Sequence, residues 1–179
     1  FTMKKRLTII QMDVHVNDVE YNYTRVQELL SQSLSENPEI IVLPETWNTG
    51  FYPSKDLINI ADRNGERTKS LLSTFAKEHN VNIVGGSVAV AKNDVVFNTS
   101  YAYNREGTLV GEYSKMHGFS PAKEDQYFAG GTHTTHFELD GIPCSTVICY
   151  DIRFPELVRM AALPNTELLF VPAQWPTMR

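Results

Sequence analysis

The sequence predicts an α/β fold in which helices cover a buried sheet. Residues 6–13 (RLTIIQMD) and 39–45 (EIIVLPE) are short apolar runs of the kind that form buried strands. Between these runs, apolar side chains recur at every third or fourth position, which is the spacing of one helical face. The chain has 179 residues and 42% of them are hydrophobic, so we expect one globular domain with a substantial core.

The first half of the chain predicts alternating strands and helices. The first helix should begin after a cap at Asn17 or Asp18 and end at Asn37-Pro38. A loop is expected over residues 46–65 and a second helix over 66–80. The residues predicted on the inward faces of the two helices are Val19, Tyr23, Val26, Leu30 and Leu34, and then Leu71, Leu72, Phe75 and Ala76.

The next part of the chain predicts a strand and two hairpins. Residues 81–91 predict one strand, in which Gly85-Gly86 indicates close approach of another backbone. One hairpin is expected over residues 95–115. The other covers 135–149 and turns at Asp140-Gly141. The segment between the hairpins should be irregular.

The last part predicts a helix and a final strand. Pro155 marks a helix start, because proline lacks an N–H that the first helical turn would leave unpaired. Residues 167–175 predict the last strand, and the whole order is β-α-β-α-β-β-β-β-β-α-β. We expect a single domain over residues 1–179, with residues 1–2 as a remnant ahead of a native Met3. Because no element covers the last strand, part of the domain is expected to be missing at the C-terminus.

Charge and hydropathy exclude two kinds of partner. The formal net charge of −5 offers no basic surface for nucleic acid. No apolar run approaches the roughly 20 residues of a membrane-spanning helix, and the first residues lack the features of a secretion signal. These observations predict a cytoplasmic protein.

The two cysteines, Cys144 and Cys149, are not expected to form a disulfide. Five residues of strand span about 16 Å, and an odd separation places side chains on opposite faces. A disulfide requires Cα atoms within roughly 7 Å of each other. Free thiols are typical of a reducing compartment.

Cys149 is a candidate nucleophile. It ends the predicted strand in STVICYDIRFPEL, directly before a turn into a helix. Open α/β folds place their sites at such carboxyl ends of strands, and the backbone N–H of Tyr150 would be available to an oxyanion there. The alternative is a buried cysteine that only fills space. Cys144 has neither feature and is predicted to be a core residue.

Glu45 and Lys115 are the candidate partners of this thiol. Both close apolar or alternating runs, so their side chains are expected to converge with Cys149 at the ends of strands. A nucleophilic thiol needs a proton acceptor and a positive neighbour, and these two residues supply both. The alternative for each is an ordinary solvated end of a strand.

Four blocks occur in order: LPETWNTGF, EYSKMH, KEDQYFAGG and ICYDIRFPEL. Together they resemble the carbon–nitrogen hydrolase (nitrilase) superfamily, and CYDIRFPEL and AQWP are most similar to its omega-amidase branch. The resemblance implies a four-layer α-β-β-α sandwich, a homodimer or higher oligomer, and no cofactor. It also implies a catalytic triad of Glu45, Lys115 and Cys149, with Glu124 as a second glutamate that holds the lysine.

The resemblance further implies the hydrolysis of short omega-amides of 2-oxoglutaramate or succinamate type, through a cysteine thioester. Trp47, Phe51, Tyr52 and His117 flank the predicted site, either as pocket walls or as loop packing. Arg153 would either hold a distal carboxylate or lock the turn at Cys149 against a buried acid. The residues alone leave both choices open.

Other functions stay open as well. A nitrilase or an N-carbamoyl hydrolase would use the same residues and give different products. A catalytically incomplete fragment acting as a binding module would show ordinary thiol reactivity at Cys149. A papain-like hydrolase would need a catalytic histidine, and none has a strong local signature. His133 and His136 alone are a weak metal signal, so no metal is expected.

Overall fold

The computed structural model describes residues 4–52 and 54–175, which form a seven-stranded and a three-stranded sheet. The strands of the first sheet are β1 (Leu7–Ile9), β2 (Ile40–Val42), β3 (Asp62–Arg63), β4 (Asn82–Val84), β5 (Val88–Lys92), β6 (Val95–Tyr103) and β7 (Leu109–Ser114). Their order is β1-β2-β4-β6-β5-β3, with β7 paired to β6. The second sheet has the order β10-β9-β8, from β8 (His136–Leu139), β9 (Ile142–Thr146) and β10 (Leu168–Phe170).

The helices lie outside the two sheets. They are α1 (Val19–Ser33), α2 (Leu57–Ile60), α3 (Glu66–His79) and α4 (Pro155–Ala162). The side chain of Asp18 accepts the N–H of Tyr21 at 3.1 Å and caps α1, as predicted. Within the described residues, no helix is both long enough and apolar enough to cross a membrane.

The layers are helix, sheet, sheet and helix. The inner faces of the two sheets share one core, which contains Ile40, Val42, Val84 and Ala102 from the first sheet and Phe137, Leu139, Cys144 and Phe170 from the second. The outer face of the first sheet packs against α1 and α3 through Val26, Leu30, Leu72 and Phe75. Leu157 and Ala161 of α4 pack beside the second sheet. This arrangement confirms the predicted α-β-β-α sandwich.

The stretch 46–65 contains more structure than the predicted loop, namely α2 and β3. β3 pairs with β5, and the carboxylate of Asp62 accepts the N–H groups of Arg67 and Thr68 at 3.2 and 2.8 Å. These contacts start α3. Because β3 depends on its pairing with β5, which is distant in sequence, side-chain periodicity does not reveal it.

The predicted single strand over 81–91 is two strands, β4 and β5, separated at Gly85-Gly86. Gly86 has a φ of +61°, and a Cβ at this position would overlap the backbone of Leu43 and Pro44. The chain therefore leaves the sheet where it passes the segment that leads to Glu45. The expected close backbone approach is confirmed, and it interrupts the strand.

Candidate active site

Glu45 lies just beyond the end of β2, on a segment clamped to the loop after β4. Pro44 C=O accepts the N–H of Ser87 at 3.0 Å, and the Ser87 hydroxyl accepts the N–H of Thr46 at 2.9 Å. Thr46 has a left-handed φ of +42°, an uncommon conformation for this residue type. The turn directs the Glu45 carboxylate into the interior, where it is buried.

Lys115 follows β7 directly and is also buried. Its N–H donates to the carbonyl of Asn98 at 2.8 Å, which continues the β6–β7 pairing by one residue. Its Nζ donates to Glu45 Oε1 at 2.7 Å and to Glu124 Oε2 at 2.8 Å. One ammonium group thus joins two buried carboxylates.

Glu124 begins a short 3-10 turn (Glu124–Gln126) in the irregular segment between the hairpins. Its Oε2 accepts the N–H of Phe119 at 2.8 Å in addition to the Lys115 ammonium. Lys123, directly before it, has a left-handed φ of +58°. The loop therefore holds the Glu124 carboxylate against the Lys115 ammonium, which also contacts Glu45.

Cys149 was predicted to end the strand. The structure instead ends β9 three residues earlier, and Cys149 opens a 3-10 turn (Cys149–Arg153). Cys149 adopts a left-handed φ of +46°, which is not a strand conformation. Its N–H donates to the carbonyl of Pro172, beyond β10, at 2.9 Å. A non-glycine residue in this conformation stores about 1–3 kcal/mol of strain, and such residues concentrate at active sites.

Burial and neighbouring charges shift the pKa values of Cys149, Glu45 and Lys115. Burial first, and the negative charge of Glu45 second, raise the pKa of the Cys149 thiol to about 12. Burial also raises the pKa of Glu45. Burial alone would lower the pKa of Lys115, but Glu45 and Glu124 outweigh it and raise the pKa. At rest the Cys149 thiol is therefore protonated, and Lys115 carries its positive charge beside Glu45.

Asn98 is a site residue that the sequence analysis missed. It is buried on β6, and its Nδ2 donates to Glu45 Oε1 and to Glu124 Oε1, both at 3.2 Å. The backbone N–H of Gln174 donates to the other oxygen of Glu45 at 3.1 Å. Asparagine is depleted in strands, so its position inside the predicted strand VVFNTSYAYN is the signal that marks it.

Asp151, also missed, fastens the turn at Cys149 to the chain around Lys115. Its buried carboxylate accepts the Tyr113 hydroxyl at 2.6 Å and the Ile148 N–H at 3.0 Å. It accepts the backbone N–H of His117 at 3.0 Å, and the His117 ring Nδ1 lies 2.9 Å from the same oxygen. The ring stacks on Phe154 at 3.6 Å. His117, considered either as a pocket wall or as loop packing, therefore braces the turn at Cys149.

A cavity opens beside the Cys149 thiol, and two of the predicted contact residues, Phe51 and Arg153, line it together with Tyr150, the predicted oxyanion donor. The sequence analysis did not single out the remaining described lining residues, which are Phe119, Ile152, Gln174 and Trp175. A larger surface groove of about 570 Å³ lies between α1 and α3 and shares no lining residue with this cavity.

Two of the residues considered as pocket walls do not line this cavity. Trp47 is fully buried in the core behind the first sheet, where its indole N–H donates to the carbonyl of Gly85 at 2.9 Å. In this position the apolar part of the indole is buried and its N–H has a hydrogen-bond partner. Trp47 therefore supports the Glu45 segment from the side of the core. Tyr52 is half exposed and packs its ring against Phe51.

The histidine pair considered as a metal signal is committed to other contacts. His133 Nδ1 lies 2.7 Å from the Thr132 hydroxyl, and His136 Nε2 lies 3.1 Å from the carbonyl of Ala161. Over residues 4–52 and 54–175, no group of three or more His, Cys, Asp or Glu side chains is placed to hold a metal ion.

Comparison with known proteins identifies a family for this chain. Residues 6–179 match the family described as carbon-nitrogen hydrolase. The chain is 39% identical over 177 residues to 2-oxoglutaramate amidase of Bacillus subtilis (strain 168), covering 99% of this chain and 68% of that protein. It is 30% identical over 181 residues to omega-amidase NIT2 of Danio rerio, covering 94% of this chain and 63% of that protein.

A solved structure from this superfamily has the same fold as this chain. The crystal structure of a CN-hydrolase superfamily protein from Xanthomonas campestris, 27% identical to this chain, superposes with a TM-score of 0.85. The superposition covers 99% of this chain and 68% of that one. The chain thus spans about two thirds of the length of the relatives that it matches.

Proposed function

The chain belongs to the carbon–nitrogen hydrolase family of enzymes, and from this we propose that it hydrolyses the terminal carboxamide of a small omega-amide to the acid and ammonia. The observation that carries the proposal is the convergence of three groups from distant parts of the chain. The Lys115 ammonium lies 2.7 Å from Glu45, and the negative charge of Glu45 helps to raise the pKa of the Cys149 thiol. These are the base, the cation and the nucleophile of a thiol amidase.

In the first half of the reaction, Glu45 takes the proton of the Cys149 thiol as the sulfur attacks the amide carbon. The carbonyl oxygen becomes an oxyanion, which the Lys115 ammonium and the Tyr150 N–H stabilise. Glu45 then gives its proton to the amide nitrogen. The carbon–nitrogen bond breaks, ammonia leaves, and a thioester joins the acyl group to Cys149.

In the second half, Glu45 takes a proton from a water molecule that attacks the thioester carbon. The carbon–sulfur bond breaks, the carboxylic acid leaves, and Glu45 returns the proton to the thiolate. The high pKa of Cys149 favours this return, because the thiol is protonated whenever no acyl group is attached. Glu124 and Asn98 hold Lys115 and Glu45 in place throughout.

Two relatives support the substrate class. Their names describe a 2-oxoglutaramate amidase and an omega-amidase, and both match nearly the whole of this chain. The proposed substrates are therefore amides of the 2-oxoglutaramate and succinamate type. The cavity at the thiol is lined largely by apolar and aromatic side chains, which suits a short carbon chain.

A substrate panel tests the reaction class. Ammonia and carbon dioxide are measured with 2-oxoglutaramate, succinamate, an N-carbamoyl amino acid and a simple nitrile. We expect ammonia without carbon dioxide from the two omega-amides, at higher kcat/KM than from the nitrile. Carbon dioxide release from the carbamoyl compound would indicate an N-carbamoyl hydrolase, and silence on every substrate would favour a binding module.

A homodimer or higher oligomer and a cytoplasmic location also belong to this proposal. The oligomer rests on the resemblance to the superfamily. The location is supported by the two cysteines, Cys144 and Cys149, which are both free thiols. Analytical ultracentrifugation measures the oligomeric state.

Asn98→Leu is expected to move the acidic limb of the pH dependence of kcat/KM to higher pH. In the native protein the limb should lie above 4.5, the ordinary pKa of glutamate, because burial raises the pKa of Glu45. The Asn98 amide stabilises the ionised carboxylate, so its loss raises this pKa further. Leucine keeps the site dry. The measurement is kcat/KM for succinamate across the pH range.

Asn82→Leu is the matched control. Asn82 is equally buried, on β4, and its amide donates to the backbone carbonyl of Glu39, away from the site. Its limb should coincide with that of the native protein. If the limb of Asn98→Leu also coincides, Asn98 does not position the base.

A further inference from the structure

The catalytic groups of the proposed mechanism come from both sheets of the sandwich. Glu45 and Lys115 follow β2 and β7 of the seven-stranded sheet, whereas Cys149 follows β9 of the three-stranded sheet. The two sheets meet through an apolar core, and the attraction between apolar surfaces has no preferred direction. A hydrogen bond, in contrast, requires its donor and acceptor at a set distance and angle. Hydrogen bonds between the sheets are therefore the contacts that can set where the sulfur stands relative to the ammonium.

Asp151 makes such hydrogen bonds. It lies two residues after Cys149 and is fully buried. Its carboxylate accepts the hydroxyl of Tyr113 at 2.6 Å and the backbone N–H of His117 at 3.0 Å. Tyr113 stands two residues before Lys115, and His117 stands two residues after it. One carboxylate on the turn of the nucleophile thus holds the chain on both sides of the catalytic lysine.

The two oxygens of Asp151 divide the donors between them. Oδ2 accepts the Tyr113 hydroxyl and, within the turn itself, the N–H of Ile148 at 3.0 Å, while Oδ1 accepts the N–H of His117. Burial and the charge of Asp151 raise the pKa of Tyr113, so its hydroxyl keeps the proton that it donates. An ionised carboxylate only accepts hydrogen bonds and has room for about four donors. Aspartate therefore suits this position, whereas the NH₂ group of an asparagine would face N–H or O–H donors.

We propose that Asp151 is a positioning residue, which sets the placement of the Cys149 sulfur relative to the Lys115 ammonium through hydrogen bonds between the two sheets, an inference that rests on the proposed amidase function. Its oxygens are occupied by these donors, so it acts through the two catalytic residues. A misplacement of about 1 Å between reacting groups can lower a rate by about 10²-fold. The competing role is a local one, in which Asp151 caps its own turn through the N–H of Ile148.

Tyr113→Phe separates the two roles. It removes the hydrogen bond between the sheets and keeps the aromatic ring, the Asp151 carboxylate and the bond to Ile148 within the turn. We expect kcat for succinamate to fall by about 10- to 100-fold, with KM little changed, because the reacting groups are displaced while the cavity remains. Asp151→Asn should lower kcat at least as far, since it disturbs the bonds on both sides of Lys115.

Tyr101→Phe is the matched control. Tyr101 lies on β6 and is as buried as Tyr113, and within the part of the chain that the structure describes its hydroxyl has no hydrogen-bond partner. The loss of this hydroxyl should leave kcat and KM at their native values.

Alkylation of Cys149 by iodoacetamide gives a second measurement, which needs no amide substrate. In the native site Glu45 accepts the proton of the thiol as the sulfur attacks. A displaced sulfur loses this transfer, so Tyr113→Phe should be alkylated at Cys149 more slowly than the native protein. A turn that has merely come loose would expose the thiol and would be alkylated faster.

The outcomes separate this proposal from the amidase function. If Tyr113→Phe matches Tyr101→Phe in kcat and in alkylation, the positioning role is overturned and Asp151 caps its own turn. Faster alkylation together with a raised KM would also overturn it, as general loosening of the site. Slower alkylation in Tyr113→Phe, with no ammonia released by the native protein, would overturn the amidase function and leave the placement of the sulfur by Asp151 standing.

Discussion

Cys149→Ala is expected to abolish ammonia release from omega-amides, with a fall in kcat of at least about 10⁴-fold, since removal of the nucleophile from a hydrolytic triad has effects of this order. Neither Glu45 nor Lys115 can form the acyl intermediate without the sulfur. The measurement is the rate of ammonia release from succinamate at saturating substrate.

The second cysteine provides the control for that experiment. Cys144 is buried between the two sheets, in the same apolar cluster as Phe137 and Phe170. Cys144→Ala should lose stability and keep kcat per folded molecule. Turnover that survives in Cys149→Ala and falls in Cys144→Ala would reverse the assignment of the nucleophile.

Lys115→Met is expected to damage both stability and activity. It leaves Glu45 and Glu124 buried without their shared cation, and breaking a buried ion pair in this way costs about 3–5 kcal/mol. It also removes an oxyanion donor, for which we expect a fall in kcat of about 10²–10³-fold. Denaturant unfolding and steady-state kinetics measure the two effects.

Lys92→Met is the matched control for the lysine. Lys92 forms an ion pair with Glu112 at 2.9 Å, but both side chains are about one third exposed. Such a surface pair contributes less than about 1 kcal/mol, so stability and turnover should change little. If Lys115→Met resembles Lys92→Met in both measurements, Lys115 neither neutralises the carboxylates nor stabilises the oxyanion.

The parts of the fold that depend on local patterns could be predicted from the sequence. The cap at Asp18, the helix start at Pro155 and the turn at Asp140-Gly141 are each encoded by neighbouring residues, and the structure has them. The break at Gly85-Gly86 was visible only as two glycines. Its cause is the backbone of Leu43 and Pro44, some forty positions earlier in the chain.

The residues of the candidate site also divide into those that a local pattern reveals and those that depend on distant parts of the chain. Glu45, Lys115 and Cys149 could be identified because each stands near the end of a strand, within a recognisable block. Gln174 reaches Glu45 across 129 positions of sequence, which no local pattern encodes. Trp47 shows the converse case. Its position beside Glu45 suggested a pocket wall. In the structure its ring packs in the core and its indole N–H donates to the carbonyl of Gly85.

The central claim is that hydrolysis proceeds through a thioester on Cys149, and capture of the acyl group by hydroxylamine tests it most directly. Hydroxylamine attacks a thioester in competition with water and converts the acyl group to a hydroxamate, releasing the free thiol. With succinamate as substrate, we predict hydroxamate in proportion to the hydroxylamine added to the native protein, and none with Cys149→Ala. Undiminished release of ammonia and acid by the native protein, with no more hydroxamate than Cys149→Ala produces, would contradict the account and indicate direct attack by water.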